Sequence, residues 1–350
     1  MKENIIDCFI DLGKLFNDLG LNNKYEDSNK NTSKDEYQKF NEVINSHKAS
    51  NPWFTQKYIR KSILSLSLMC HKNELNSFIS DYNIDQKSTS RIAIIMAGNI
   101  PLVGFHDFLC VLLSGNHAKI KLSSDDKILL PLFLSFLSDK YPFFKDKYEF
   151  VNSKMKDVDA VIATGSDNSN LYFQKYFGHL PHVFRKNRTS LAVISENESQ
   201  KNLQKLGDDI FDYFGRGCRN VTHLLVHDSF EMNRFFESIV SHGDIINHNK
   251  YGNNYDYNRA IHLMNQIPIL DNNFVLLRES KELFSPLAMV HYHRYSNFDE
   301  VNEYIELNQD FIQVIVGDSD EFVPFGISQN PLLSDFADKI DTMKWLLSIK

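Results

Sequence analysis

The sequence predicts an α/β protein in which helices cover parallel sheets and a helical segment comes first. Three observations predict it. From Arg91 onward, short apolar runs alternate with longer stretches of helical spacing, the pattern of strand–helix–strand units. The alternation restarts near Ser190, so there are two such runs. Ahead of both, Ile5, Ile6, Phe9, Leu12, Leu15 and Phe16 recur at the spacing of one helix face.

The elements follow in order. After the first helix, Asn22 to Asp35 is polar and reads as a surface loop. Tyr58–Met69 and Lys72–Tyr82 are further helices. In the first run, Arg91–Gly98 (RIAIIMAG) is a compact apolar strand. Asn99–Gly115 is a loop entering a helix near Pro101. His117–Ser124 is a strand with Lys119 and Lys121 on one face, and Ile128–Asp139 is a helix. Asp159–Asp167 is a strand ending in a Gly-Ser turn, followed by a helix over Asn168–Phe177. In the second run, strand Ser190–Ser195 leads to a helix over Asn202–Phe214 and the loop Gly215–Asn220. Strand Thr222–Asp228 and helix Phe230–Val240 come next. NFVLLRE, LAMVHYHRY and FIQVIVG read as later strands, and the tail has the apolar spacing of a helix. The expected organisation is a helical segment over 1–85, one domain over 86–189 and a second over 190–350.

Composition narrows the function classes. The 350 residues are 42% hydrophobic and 24% charged, which excludes collagen, a disordered tail and a disulfide-stapled miniprotein. A net charge of -7 argues against a nucleic-acid partner. Cys8, Cys70, Cys110 and Cys218 are scattered and form no CxxC pair, which fits a reducing cytoplasm and lacks the usual zinc-ribbon signature. The N-terminus carries acids among its apolar residues and has no signal-peptide core. The longest apolar run, Ile128 to Leu137, is interrupted by Pro131 and falls short of the ~20 residues that span a bilayer.

Several residues are candidates for chemistry. Cys218 lies in FGRGCRN, where Gly215 and Gly217 leave room beside the sulfur and Arg216 and Arg219 favour a thiolate. The plainer reading is a buried thiol in a glycine-rich turn. Asn99 is either the N-cap of the helix near Pro101 or an amide aimed at a developing oxyanion. Gly165 and Ser166, in TGSD, end a strand and open a helix, where backbone N–H groups can receive a phosphate or simply be capped. No GxGxxG follows any strand. Lys121 in isolation is the wet face of a strand, and Glu282 and Phe284 lie in an uninformative loop. His291 and His293 put two imidazoles on one strand face, but no third ligand is evident, so no metal is expected.

Taken in order, AGNIPLVGFHDFLCVLLSGNHAKIKLSS, ATGSD, GRGCRN and KELFSPLAMV resemble the aldehyde dehydrogenase superfamily. FGRGCRNVTHLLV, RKNRTSLAVIS and PLLSDFADKIDTMKWLL look like its acyl-CoA and acyl-protein reductase branch, which makes fatty aldehyde for bacterial luciferase. The resemblance covers Ser90 to the C-terminus. It implies a Rossmann-type cofactor domain and an α/β catalytic domain. It also implies Cys218 as nucleophile and Asn99 as oxyanion amide. Lys121, Ser123, Gly165, Ser166, Glu282 and Phe284 fall to the nicotinamide cofactor.

Two departures from the wider superfamily inform the reading. Its hydrolytic members carry a glutamate that activates water, and the matching region here, His182 to Val193, holds no acid. That favours reduction of a thioester over hydrolysis. NAD-preferring members place a glutamate three residues after the strand lysine. Ser124 stands there instead, which leans toward NADPH, with NADH still open. The resemblance implies an acyl-CoA, or an acyl carrier or acyl-transfer protein, as donor. A homo-oligomer stays open, because the family's β-hairpin arm is not identifiable. The competing expectations are an aldehyde dehydrogenase running oxidatively and a catalytically idle binding protein on the same fold.

Overall fold

The structure, a computed structural model, describes residues 2–26, 32–84 and 89–349. The expected boundary at residue 85 and the middle of the Asn22–Asp35 stretch lie outside them. The chain divides into two compact units. One comprises Met1–Lys186 and Leu332–Lys350, and the other comprises Asn187–Pro331.

The first unit opens with four helices, α1 (Lys2–Gly20), α2 (Lys34–Ser46), α3 (Gln56–Met69) and α4 (Lys72–Ser80). Ser33 and Glu36 form a reciprocal capping box at the start of α2. The strand–helix alternation follows. It runs β1 (Arg91–Ile95), α5 (Phe105–Leu113), β2 (His117–Lys121), α6 (Leu129–Lys140), β3 (Tyr148–Phe150), β4 (Ala160–Thr164), α7 (Asp167–Phe177) and β5 (His182–Arg185). All five strands are parallel, in the order β3-β2-β1-β4-β5.

The two-residue period of β1 sorts its side chains onto two cores. Ile92 and Ile94 join the large cluster under α1, α5 and α6. Ala93 joins the smaller cluster beside Phe173 and Phe177 of α7. In α1, Cys8, Phe9, Leu12, Leu15, Phe16 and Leu19 are all buried. Phe9 meets the rings of Phe105, Phe108 and Phe144 at 6.1–6.2 Å, which docks the N-terminal helices onto α5. Arg60 of α3 closes this corner. It donates to the Leu19 carbonyl at the end of α1 and to Asn41 Oδ1 of α2 at 2.8 Å.

The second unit contains β6 (Thr189–Ile194), α8 (Gln200–Phe211), β7 (Val221–His227), α9 (Met232–Ser238) and α10 (Asn249–Met264). It continues through β8 (Leu270–Asp271), β9 (Leu276–Glu279), β10 (Met289–Tyr295), α11 (Phe298–Asn308) and β11 (Ile312–Val316). Its sheet order is β11-β6-β7-β10-β9-β8, parallel except for the edge strand β8.

The C-terminal helix departs from expectation in place and length. It covers only Thr342–Ser348, and it packs in the first unit instead of with residues 190–331. Met343 and Leu346 are buried in the core of that unit, and a buried ion pair tethers the segment as well. Arg185 holds the Asp107 carboxylate through Nε at 3.2 Å and Nη2 at 2.5 Å. The same guanidinium donates to Ala337 O at 2.8 Å and to Thr342 Oγ1 at 3.0 Å. Burial works against its charge, and Asp107 more than offsets this.

Candidate active site

In the first unit, the residues assigned to the cofactor lie at the C-terminal ends of adjacent parallel strands. Ile95 of β1 is in register with Lys121 of β2 and Ala163 of β4. The loop after β1 therefore lies between the Lys121–Ser123 and Gly165–Ser166 turns. This is also where the strand order reverses, because the chain passes from β1 out to β2 and β3 and returns to β4. Crevices at such points are where open parallel sheets take ligands.

Local packing shapes each turn. A Cβ on Gly98 would lie 2.5 Å from Ser123 Oγ, so glycine lets the β1 loop rest on the β2 loop. Lys121 is exposed and makes no ion pair among the described residues, whereas Lys119 pairs with Glu149 at 2.9 Å. Ser166 caps α7, accepting from Ser169 N at 3.4 Å. Asn99 does not cap α5, contrary to one expectation. That helix starts at Phe105, after a turn in which Leu102 is left-handed (φ 58°). Leu102 N–H donates to Asp126 Oδ2 at 2.8 Å, and Ser62 Oγ donates to Pro101 O at 2.7 Å, so the loop carrying Asn99 is tied down on two sides.

These groups fit a nicotinamide dinucleotide. An exposed ammonium, two serine hydroxyls and the N-terminus of an eleven-residue helix share one strand-end edge. Groups of three or more metal-ligating side chains are absent among the described residues.

In the second unit, Cys218 precedes β7. Helix α8 ends at Phe211, earlier than the spacing implied, because Tyr213 and Phe214 adopt left-handed backbones (φ 52° and 60°), followed by Gly215 at φ 74°. Only glycine takes this conformation without steric cost. A single side chain organises the loop that follows. Asn220 Oδ1 accepts the Gly217 N–H at 2.8 Å, while its Nδ2 donates to the carbonyls of Asp209, Ile210 and Asp212 at 3.0, 3.3 and 2.9 Å. Ser190 Oγ of β6 donates to the Cys218 carbonyl at 3.0 Å.

The result separates the four thiols. Cys8, Cys70 and Cys110 are buried, and Cys218 is partly exposed. Burial raises the first three, Cys8 to about 12, and holds Cys70 and Cys110 well above the ordinary thiol value. Arg219 is engaged with Ser328 O at 3.4 Å. A cavity of about 60 Å³, large enough to hold water, is lined by Phe211, Phe214, Gly215, Val221, Thr222 and Leu287.

Glu282 and Phe284 occupy the segment before β10, at the same strand-start edge of the sheet as Cys218. Thr222 Oγ1 ties the segment to β7 by donating to Leu283 O at 3.1 Å. Glu282 and Phe284 face outward, while Leu283 between them is buried. His223, adjacent to Thr222, is fully buried and bonded to the Glu282 carbonyl and to His293, so it is not positioned as an acid for Cys218.

Residues 2–243 match the family model described as acyl-CoA reductase (LuxC). The chain belongs to the acyl-CoA reductase (LuxC) family. The family supports an oxidoreductase that acts on acyl or aldehyde groups.

Solved structures place this family member on the aldehyde dehydrogenase fold. An oxidoreductase from Marinobacter aquaeolei aligns with TM-score 0.65 and 11% identity over 91% of this chain and 73% of that one. A mutant of aldehyde dehydrogenase C from Pseudomonas syringae, solved with NAD+ and octanal, gives TM-score 0.62 and 9% identity over 90% and 73%. Succinic semialdehyde dehydrogenase from Streptococcus pyogenes, solved with NADP+, gives 0.61 and 12% over 90% and 77%. A comparison with curated proteins returned no match. No helix among the described residues of this LuxC-family chain is long and apolar enough to cross a membrane.

Sequence reasoning missed Asn220, Asp126 and the tethers of the Glu282 segment. Asn220 was visible only as the end of GRGCRN, because its four partners lie up to eleven residues upstream. HYH was visible, but its reading as a possible ligand pair is replaced by hydrogen bonding of both rings.

Proposed function

We propose that this chain is an NADPH-dependent reductase that converts a long-chain acyl thioester to the fatty aldehyde through a covalent Cys218 thioester. The observation that carries the proposal is the Cys218 loop. It holds the one partly exposed thiol of the four on a turn fixed by the buried Asn220 amide.

In this reading the Cys218 thiolate attacks the acyl carbonyl, and the Cys218 backbone N–H and the Asn99 amide receive the oxyanion. Each such donor lowers the barrier by ~3 kcal/mol. The bond to the donor sulfur breaks, the thiolate of CoA or of a carrier protein leaves and takes a proton, and the acyl group stays on Cys218. Lys121, Ser123, Gly165, Ser166, Glu282 and Phe284 hold the cofactor. Bound NADPH supplies the hydride that takes the acyl group to the aldehyde level and so frees the Cys218 sulfur. The strands covering His182 to Val193 bring no carboxylate that would turn water on the thioester. Exposed Ser124 presents no charge against a 2′-phosphate, which favours NADPH over NADH. Four cysteines, none of them in a disulfide, favour the cytoplasm.

The test is NADPH and NADH absorbance with octanoyl-CoA and palmitoyl-CoA, alongside Cys218→Ala and Asn99→Ala. Cys218→Ala should abolish turnover, and Asn99→Ala should lower kcat by about a hundredfold. With cofactor withheld, mass spectrometry should show one acyl group on Cys218. Turnover in Cys218→Ala equal to that of the parent would sink the covalent route.

A further inference from the structure

Glu282 lies in a segment whose backbone is held by side chains from three different elements of the second unit. Tyr304 Oη of α11 donates to Lys281 O at 3.0 Å. Thr222 Oγ1 of β7 donates to Leu283 O at 3.1 Å. Between them, the Glu282 carbonyl meets two imidazoles. His223 Nδ1 of β7 is 3.0 Å away and His291 Nδ1 of β10 is 2.9 Å away. Three successive carbonyls are thus occupied.

The proton positions follow by elimination. A carbonyl only accepts, so His223 and His291 both carry hydrogen on Nδ1. Neutral His223 then accepts at Nε2, and His293 Nδ1, 2.8 Å away, must donate to it. Burial first, and His293 second, push His223 down to about 3, so it is neutral at working pH. Burial likewise lowers His291, and it takes His293, beside Lys281, to about 4. All three rings are therefore Nδ1–H tautomers. Tyr304 stacks on His223 with ring centroids 5.0 Å apart at 19°.

The rings do not earn their place by packing alone. His291 is 1% exposed, and its Nε2 has no hydrogen-bond partner among the described residues. An unpaired buried polar atom is destabilising, a cost that leucine would not carry. What the histidine supplies is the Nδ1–H. His223 and His291 are also register partners on neighbouring parallel strands, so the sheet itself brings both donors to one oxygen.

We infer that His223 and His291 are positioning residues that grip the Glu282 carbonyl and thereby hold Glu282 and Phe284 outward toward the nicotinamide cofactor. This rests on the assignment of Glu282 to the cofactor made above. The clamp acts through a backbone atom, so it fixes the aim of both side chains without touching the ligand.

Two arms test it. The first is a long-range proton–nitrogen correlation on the [15N]histidine-labelled protein, with signals assigned by single His→Gln variants. Neutral Nδ1–H tautomers at His223, His291 and His293 are expected, and an Nε2–H tautomer at His223 or His291 overturns the clamp. The second measures NADPH and NADH binding by fluorescence titration in His291→Leu, His291→Asn and Glu282→Gln. His291→Leu should weaken binding by about tenfold, the value of one hydrogen bond, while cofactor-free acylation of Cys218 stays within about twofold. His291→Asn keeps a donor where Nδ1–H was and should restore binding. Unchanged binding in His291→Leu with weakened binding in Glu282→Gln overturns the clamp alone. Unchanged binding in Glu282→Gln removes the cofactor role of Glu282, and the clamp with it. If His291→Leu does not fold, the tautomers and His291→Asn decide, and a folded His291→Asn with tenfold weaker binding overturns the proposal.

Discussion

The side-chain oxygen of Asn220 receives the Gly217 N–H at 2.8 Å, immediately before Cys218, while the amide nitrogen serves three carbonyls at the end of α8. One fully buried amide therefore joins the helix to the cysteine loop across the left-handed Tyr213–Gly215 turn. Asn220→Ala should lose ~3 kcal/mol in chemical denaturation, because several backbone groups lose their partner together. Asn220→Asp should be worse at pH 8, where a carboxylate faces three carbonyls. Its deficit should shrink on acidification, when the protonated acid regains a donor. Equal denaturation midpoints for the two variants at both pH values would contradict this account.

The Arg185–Asp107 pair is buried on both sides. Arg185→Met strands a carboxylate in the core and should destabilise the first unit by ~3–5 kcal/mol. The double variant Arg185→Met with Asp107→Leu should recover much of that loss, since the Asp107 carboxylate goes with its partner and only Asp338, 4.0 Å from the guanidinium, loses its cation. Urea melts of the single and double variants measure the difference. A double variant no more stable than Arg185→Met would show that the pair is not the source.

Asp126 accepts the Leu102 N–H, and burial raises its carboxyl to about 6 against that bond. A folded-state value above the unfolded one means the folded chain binds the extra proton. Stability is therefore present at low pH and is lost as pH rises through about 6. Asp126→Asn has no such loss. Its stability relative to the parent should climb by ~2 kcal/mol between pH 4.5 and 7.5, one pH unit of differential protonation being worth about 1.4 kcal/mol. Parallel stability–pH curves for the two proteins would contradict the assignment.

Alkylation should sort the thiols. In the native protein iodoacetamide should modify Cys218 first, since Cys8, Cys70 and Cys110 are buried and held as thiols. In denaturant all four should react. Peptide mass mapping reads this directly, and native labelling of Cys110 at the rate of Cys218 would contradict it.

Much of the fold was legible because it is written locally. β1 and β4 are apolar runs bounded by turn residues, and α1 carries an uninterrupted apolar face. Helix α10 was not legible for the opposite reason. Its inward face alternates Tyr251, Tyr255, Asn258 and His262, so apolar spacing alone does not reveal it. The stop of α8 was also hidden, because aromatic residues rarely adopt left-handed backbones and Tyr-Phe carries no turn signal. For the site, the order of short motifs pointed to Asn99, Cys218 and Glu282 as candidates, yet not to what holds them. The tethers of the Glu282 segment join residues 9 to 61 positions apart, and only the β7–β10 register brings His223 and His291 to one oxygen.

The return of the C-terminal residues to the first unit sets an order for biosynthesis. A chain made from its N-terminus has all of Asn187–Pro331 once Pro331 is added, so the second unit can close while the first still lacks Leu332 onward. Until then Arg185 holds Asp107 without Ala337 or Thr342, and the cluster under α5 lacks Leu333, Met343 and Leu346. The part of the molecule begun first is finished last. A fusion or truncation at the C-terminus should therefore act on the maturation of the unit that contains Asn99 and Lys121, and leave the unit that contains Cys218 able to form.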